Sequence, residues 1–180
     1  VCQINVCTGS NMNPWSRWPT TRKLVEGEFV GIDFHGRSFG GLRGDGSETY
    51  FVGGSPSSEQ RDLFKRARDY LGETAAEFRA GRNHAEVLKS VPKAPDRYAK
   101  QMYNLFVGHA VGMTASGNPA LDMKKPRDDD ALAENQVLAI ECFFGEVGSP
   151  LAVKLERMIR VTAGEPEVLG PLPMDEGLLR

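Results

Sequence analysis

The sequence predicts an α+β fold. Strand-like segments occupy both ends of the chain, helix-like segments occupy the middle, and stretches rich in Pro, Gly or charge separate them. Strands do not alternate with helices as a parallel sheet requires. The length of 180 residues fits one domain.

Residues 1–8 alternate in polarity and read as a strand. Residues 9–23, which include Trp15 and Trp18, read as a loop. Residues 27–35 and 39–53 read as two strands joined near Gly36. A helix follows, with Pro56 in its first turn and Ser57 and Gln60 spaced as a capping box. Leu63, Phe64, Ala67, Leu71, Ala75 and Phe78 give it one apolar face, and Gly81 is placed to end it. A second short helix holds Ala85, Val87 and Leu88, with His84 on its surface. Pro92 and Pro95 break the chain, and Tyr98 to Phe106 read as a further helical stretch. Residues 117–135 read as a long polar connection, with the run Asp128-Asp129-Asp130 a solvated loop. Residues 136–147 and 151–163 then read as a second strand pair.

Bulk properties exclude several functions. The formal net charge is −2, and basic and acidic residues are mixed, so there is no nucleic-acid footprint and no polybasic membrane patch. No run of about eighteen apolar residues could form a membrane span. The three cysteines, Cys2, Cys7 and Cys142, lack metal or redox spacing and read as reduced thiols of a cytoplasmic protein. Val1 lies in a strand-like segment, so residues 1–180 are expected to be the C-terminal part of a longer protein.

Asp33, Glu141 and Glu156 each sit in or end an apolar strand-like run: Phe29-Val30-Gly31-Ile32, Val137-Leu138-Ala139-Ile140, and Leu151 to Leu155. A carboxylate buried alone there would cost several kcal/mol or take up a proton. Each acid taken singly could equally lie on the solvent face of an amphipathic strand. With Asp45 and His109 they make four carboxylates and one imidazole. That set suits a pair of hard divalent ions, Mn, Fe or Co, better than a zinc site built on thiolates. Gly40-Gly41 and Gly53-Gly54 lack the strand–turn–helix setting of a phosphate loop.

The ordered set resembles the catalytic domain of the pita-bread metallopeptidases, the group of methionine aminopeptidase, aminopeptidase P, prolidase and creatinase. The matching stretches are Gly31-Ile32-Asp33, Gly44-Asp45, Gly108-His109-Ala110-Val111-Gly112, Ala139-Ile140-Glu141, and Lys154-Leu155-Glu156 leading into Val161-Thr162. The resemblance implies a curved antiparallel sheet covered by helices, two divalent metal ions and a hydrolase of small peptide or amide substrates. It implies that Asp33 chelates one ion, that Asp45 and Glu156 bridge both, and that His109 and Glu141 hold the other. Glu141 is also the implied general base for a shared water made nucleophilic by the ions. A homodimer is expected, with a small molecule or short peptide as substrate.

Three departures bear on chemistry. Ser116 stands where the peptidases carry a substrate-binding His. Asp45-Gly46-Ser47-Glu48-Thr49 has an acid where an Arg is usual. The longer Asp33–Asp45 spacing and Glu141-Cys-Phe-Phe-Gly145 resemble a branch that includes the dimethylsulfoniopropionate lyase, but Ala115 replaces that enzyme's proposed catalytic Asp. A lyase, or a binding module without catalysis, is therefore the alternative. His35, two positions beyond Asp33, shares its strand face and is a candidate catalytic residue, a further ligand, or a plain strand histidine. Trp15, Trp18 and Ser116 are the candidate substrate-binding residues, and the tryptophans could equally form a dimer contact.

Overall fold

The computed structural model describes residues 3–15, 18, 20–113, 117–126, 130–170 and 172–180. Strands β1 (Gln3–Thr8), β2 (Phe29–Phe39), β3 (Leu42–Phe51), β4 (Phe106–Ala110), β5 (Gly117–Asp122), β6 (Val137–Gly145), β7 (Ala152–Arg160) and β8 (Glu167–Leu169) form one sheet. Its order is β1-β2-β3-β7-β6-β4-β5, with β8 beside β7, and every described pairing is antiparallel. Two hairpins far apart in sequence, β2–β3 and β6–β7, thus become neighbours at the centre of the sheet.

Helix α1 (Ser58–Ala76) covers one face. Its N-terminus carries the expected capping box, with Ser57 accepting from the Gln60 amide and the Gln60 side chain accepting from Ser57 N. Leu63, Phe64, Ala67, Tyr70 and Leu71 are buried against β6 and β7. Alternation in β6 decides what they meet. Ile140, Cys142 and Phe144 point toward α1, with Phe144 stacked 4.8 Å from Tyr98 and tilted against Tyr70 at 5.2 Å. Each such fully buried side chain contributes about 2–3 kcal/mol. The intervening residues Ala139, Glu141 and Phe143 are thereby turned to the opposite face.

Helices α2 (His84–Ser90), α3 (Met102–Leu105) and α4 (Glu176–Leu179) are short. Asp175 caps α4 and also accepts from Phe51 N at 2.8 Å, tying the chain's C-terminal end to β3. Among the described residues no helix is long and apolar enough to cross a membrane. Cys7 and Cys142 are free and buried; Cys2 lies outside the described residues.

Several expectations need correction. The β2–β3 turn is not at Gly36 but at Gly40-Gly41, whose φ values of 59° and 88° fit a two-residue turn matched to sheet twist. Gly36 instead marks a bulge between His35 and Arg37. Pro56 precedes the cap rather than opening the helix, which ends at Ala76, before Gly81. Helix around Tyr98–Phe106 shrinks to one turn because Asn104 bonds to Tyr98 O, Phe143 O and Phe143 N, anchoring the segment to β6. The supposed connection at 117–135 contains β5, whose Pro119 is tolerated because the strand lies at the sheet edge. His84 is buried, not on the surface, because the start of α2 packs under the segment around Ala131. Asp128 and Asp129 lie outside the described residues.

Candidate metal centre

Register builds the centre. Asp33 pairs with Ser47, Ser47 with Glu156, and Glu156 with Glu141, so these four form one row across β2, β3, β7 and β6. Directly paired residues share a face, so all four point the same way. Asp45, two residues from Ser47, and His109, opposite Ala139 and so aligned two residues from Glu141, form the adjacent row. His35 pairs with Asp45 in that second row. Asp33, His35, Asp45, His109, Glu141 and Glu156 all line a single cavity of about 700 Å³. All but His35 are buried.

Among the described residues, Asp45, His109 and Glu156 each offer a ligand atom within 4.8 Å of the others. His109 Nε2 lies 3.7 Å from Asp45 Oδ2 and 3.9 Å from Glu156 Oε1. Its Nδ1 lies 3.2 Å from Ala110 O, and with the proton there the Nε2 lone pair faces the two carboxylates, as a metal ligand requires. Gly108 makes this geometry accessible. A Cβ on it would stand 2.5 Å from Ala139 O and 2.8 Å from Ile140 Cδ1, so only glycine lets β4 lie this close to β6.

The electrostatics call for a cation. Burial, followed by repulsion from Glu156 and Asp33, pushes Asp45 up to about 9. Burial also raises Glu141 to about 7, although the Lys154 ammonium pulls it the other way. These are carboxylates short of positive charge, and their hard oxygens with one imidazole nitrogen fit a divalent cation.

Sequence reasoning gave no role to Lys154, Ser47 or Arg157. Lys154 is fully buried, with Nζ 2.6 Å from Glu141 Oε2, 3.4 Å from Glu156 Oε2 and 4.4 Å from the centre of the Tyr103 ring. Its place two residues before Glu156 on a strand was the available signal. Ser47 donates to Glu156 Oε2 at 2.9 Å. Thr49 Oγ1 accepts from Lys154 N at 3.1 Å and donates to Lys154 O at 2.8 Å. Arg157 donates to Ser47 O and Glu156 O at 3.1 and 2.8 Å and pairs with Glu48. Side chains thus stitch the seam between β3 and β7, where the register holds a single pair. The acid in place of the usual Arg, Glu48, is answered by this arginine on the neighbouring strand.

The expected substrate-binding residues fare differently. Trp15 packs over Gly31 and lies 6.2 Å from Phe143, and Trp18 is 90 % exposed; neither lines the cavity. The loop's alternation of polar and aromatic residues could not reveal which ring the core takes. Ser116 and Ala115 lie outside the described residues. Gln3, Asn5, Lys100, Tyr103, Phe106 and Lys124 complete much of the cavity wall instead.

Comparison with known proteins agrees with this geometry. The model of metallopeptidase family M24 matches residues 2–163. Mitochondrial methionine aminopeptidase 1D of Mus musculus is 29 % identical over 148 residues, covering 81 % of this chain and 43 % of that protein. The methionine aminopeptidase of Chlamydia pneumoniae is 25 % identical over 136 residues, covering 76 % and 46 %. An Xaa-Pro dipeptidase from Bacillus anthracis superimposes with a TM-score of 0.76 at 22 % identity over 96 % of this chain and 47 % of its own. An X-Pro aminopeptidase from Thermotoga maritima MSB8 gives 0.75 at 18 % identity over 96 % and 47 %. The chain spans about half the length of these relatives. The antiparallel sheet with α1 packed across one face has the pita-bread fold of these neighbours, and the chain belongs to metallopeptidase family M24.

Proposed function

We propose that the chain is the catalytic part of a dinuclear-metal hydrolase acting on small peptide or amide substrates. The observation that carries this reading is the convergence of Asp33, Asp45, His109, Glu141 and Glu156 on one cavity wall. Those five residues would hold two divalent ions, with Mn, Fe or Co favoured by the donor set. Bound there, the ions would supply Lewis-acid chemistry toward a substrate carbonyl and toward water.

The chain's own groups supply the rest. Glu141 lines the cavity beside the proposed ions and is the candidate to take and return a proton. His35 stands in the cavity opposite Asp45 and is the candidate to replace the histidine that Ser116 lacks. Phe106, stacked 5.9 Å from His109, and Leu105 make one wall apolar, while Lys100 and Lys124 give the rim positive charge. Peptides are the leading substrate class because the matched relatives are methionine aminopeptidases and, in structure, Xaa-Pro peptidases.

Metal analysis of purified protein tests the centre first, with close to two ions per chain expected. Mn-loaded protein is then assayed for cleavage of Xaa-Pro dipeptides and of peptides with N-terminal Met. Release of dimethyl sulfide from dimethylsulfoniopropionate, without peptide cleavage, would replace the hydrolase reading with the lyase. His35→Ala should lower kcat by about 10²-fold or more if His35 acts in proton transfer; unchanged hydrolysis assigns it to the strand alone.

A further inference from the structure

Lys154 is fully buried in the wall of the cage, two residues from a proposed ligand, yet the hydrolase chemistry above gives it no task. An ammonium withdrawn from water is costly unless it is paired. Here the pairing is with the proposed ligands themselves: Nζ lies 2.6 Å from Glu141 Oε2 and 3.4 Å from Glu156 Oε2. Tyr103 closes the site with its ring face 4.4 Å from the charge. Thr49 clamps the Lys154 backbone from both sides, so the strand does not slide to free it.

Glu156 is divided by this arrangement. Its Oε1 faces His109 at 3.9 Å, and its Oε2 faces Ser47 at 2.9 Å and Lys154. Glu141 and Glu156 thus each have one oxygen turned to the ammonium, with the shorter contact on Glu141, while Asp45, His109 and Glu156 still offer one ligand atom each for a common ion.

We propose that Lys154 is a built-in counter-cation of the cage: it holds the carboxylates together when no metal is bound and competes with an incoming ion for Glu141. The inference rests on the metal-centre reading above and goes beyond it by assigning the apparent affinity, and the stability of the metal-free chain, to one residue. The competition falls hardest on the ion that draws on Glu141, which holds the shorter of the two contacts to the ammonium. A lysine that merely orients Glu141 would act in the opposite sense, since losing it would loosen a ligand and weaken metal binding.

The test compares Lys154→Met, Lys154→Gln and Lys154→Arg with the unaltered chain by calorimetric titration with Mn and by thermal melting after chelation. Expected are a lower melting temperature of the metal-free Met and Gln variants and Mn binding about tenfold tighter or more. Tenfold corresponds to about 1.4 kcal/mol, less than a unit charge a few ångström away exerts at an effective dielectric constant of about 20. Lys154→Arg, which keeps the charge, should stay near the unaltered chain in both readouts. Lys154→Gln keeps a hydrogen-bond donor without charge and carries the titration alone if the Met variant does not fold. Weaker Mn binding in the Met or Gln variant, or an unchanged metal-free melting temperature, overturns the proposal while leaving the metal centre intact. An unaltered chain that takes up no Mn overturns both.

Discussion

Replacing Asp45 by Asn should remove most of the pH dependence of the metal-free protein's stability. Asp45 is held up at about 9 in the folded chain, against 3.8 for the free group. Its folded-state value is raised, so from about pH 4 upward the unfolded chain gives up this proton while the folded chain keeps it. The unfolded state then binds fewer protons, and stability falls as pH rises until the folded-state value is reached. At about 1.36 kcal/mol per pH unit, Asp45 alone withdraws about 4 kcal/mol between about pH 5 and about pH 8. Glu141, raised from 4.5 to about 7, acts in the same sense over the lower part of that range. Lys154, whose charged form the carboxylates favour, does not titrate there. For a chain of this size, 4 kcal/mol corresponds to a drop of roughly 8–16 °C in melting temperature. Chelated protein melted across that range should show the drop, and chelated Asp45→Asn should lose most of it and outlast the unaltered chain at the alkaline end. Saturating Mn should abolish the drop in the unaltered chain only, because bound metal keeps the carboxylates ionised and stabilises by mass action. A chelated chain whose melting temperature is flat or rises with pH, with Asn and Asp alike, would refute the reasoning.

Other perturbations follow from single contacts. Gly108→Ala places a methyl group 2.5 Å from Ala139 O, so unfolding by urea should show a loss of about 1–3 kcal/mol, with weaker Mn binding as His109 is displaced. Ser47→Ala removes the 2.9 Å hydrogen bond that orients Glu156, and calorimetry should report a roughly 10–100-fold loss of metal affinity with little change of fold by circular dichroism. Glu48→Leu or Arg157→Leu leaves a buried charge alone and should cost about 3–5 kcal/mol by urea unfolding. The double Leu replacement should recover most of that loss, and additive losses would show that the two charges do not act as a pair.

What the sequence determined by itself is local and periodic. The capping box at Ser57 and Gln60, the apolar face of α1 and the two strand pairs follow from rules spanning a few residues, and all were legible. The five acidic and imidazole positions were also legible, because carboxylates inside apolar runs are costly and their order is shared with a known family. Edge strand β5 was not, since its polar residues and proline carry no core-facing alternation. His84 was placed wrongly for a related reason: burial depends on which distant segment arrives above a residue, here the chain around Ala131, just as Gly31 and Phe143 decide where the Trp15 ring packs. Only the tertiary structure decided that the 2–3 and 6–7 hairpins adjoin, and that adjacency alone brings Ser47 opposite Glu156 and completes the row from Asp33 to Glu141. It also decided what surrounds that row. Ser47 and the Glu48–Arg157 pair act through contacts across the β3–β7 seam between residues more than a hundred positions apart, and no local pattern encodes a contact whose partner is set by the closing of a sheet.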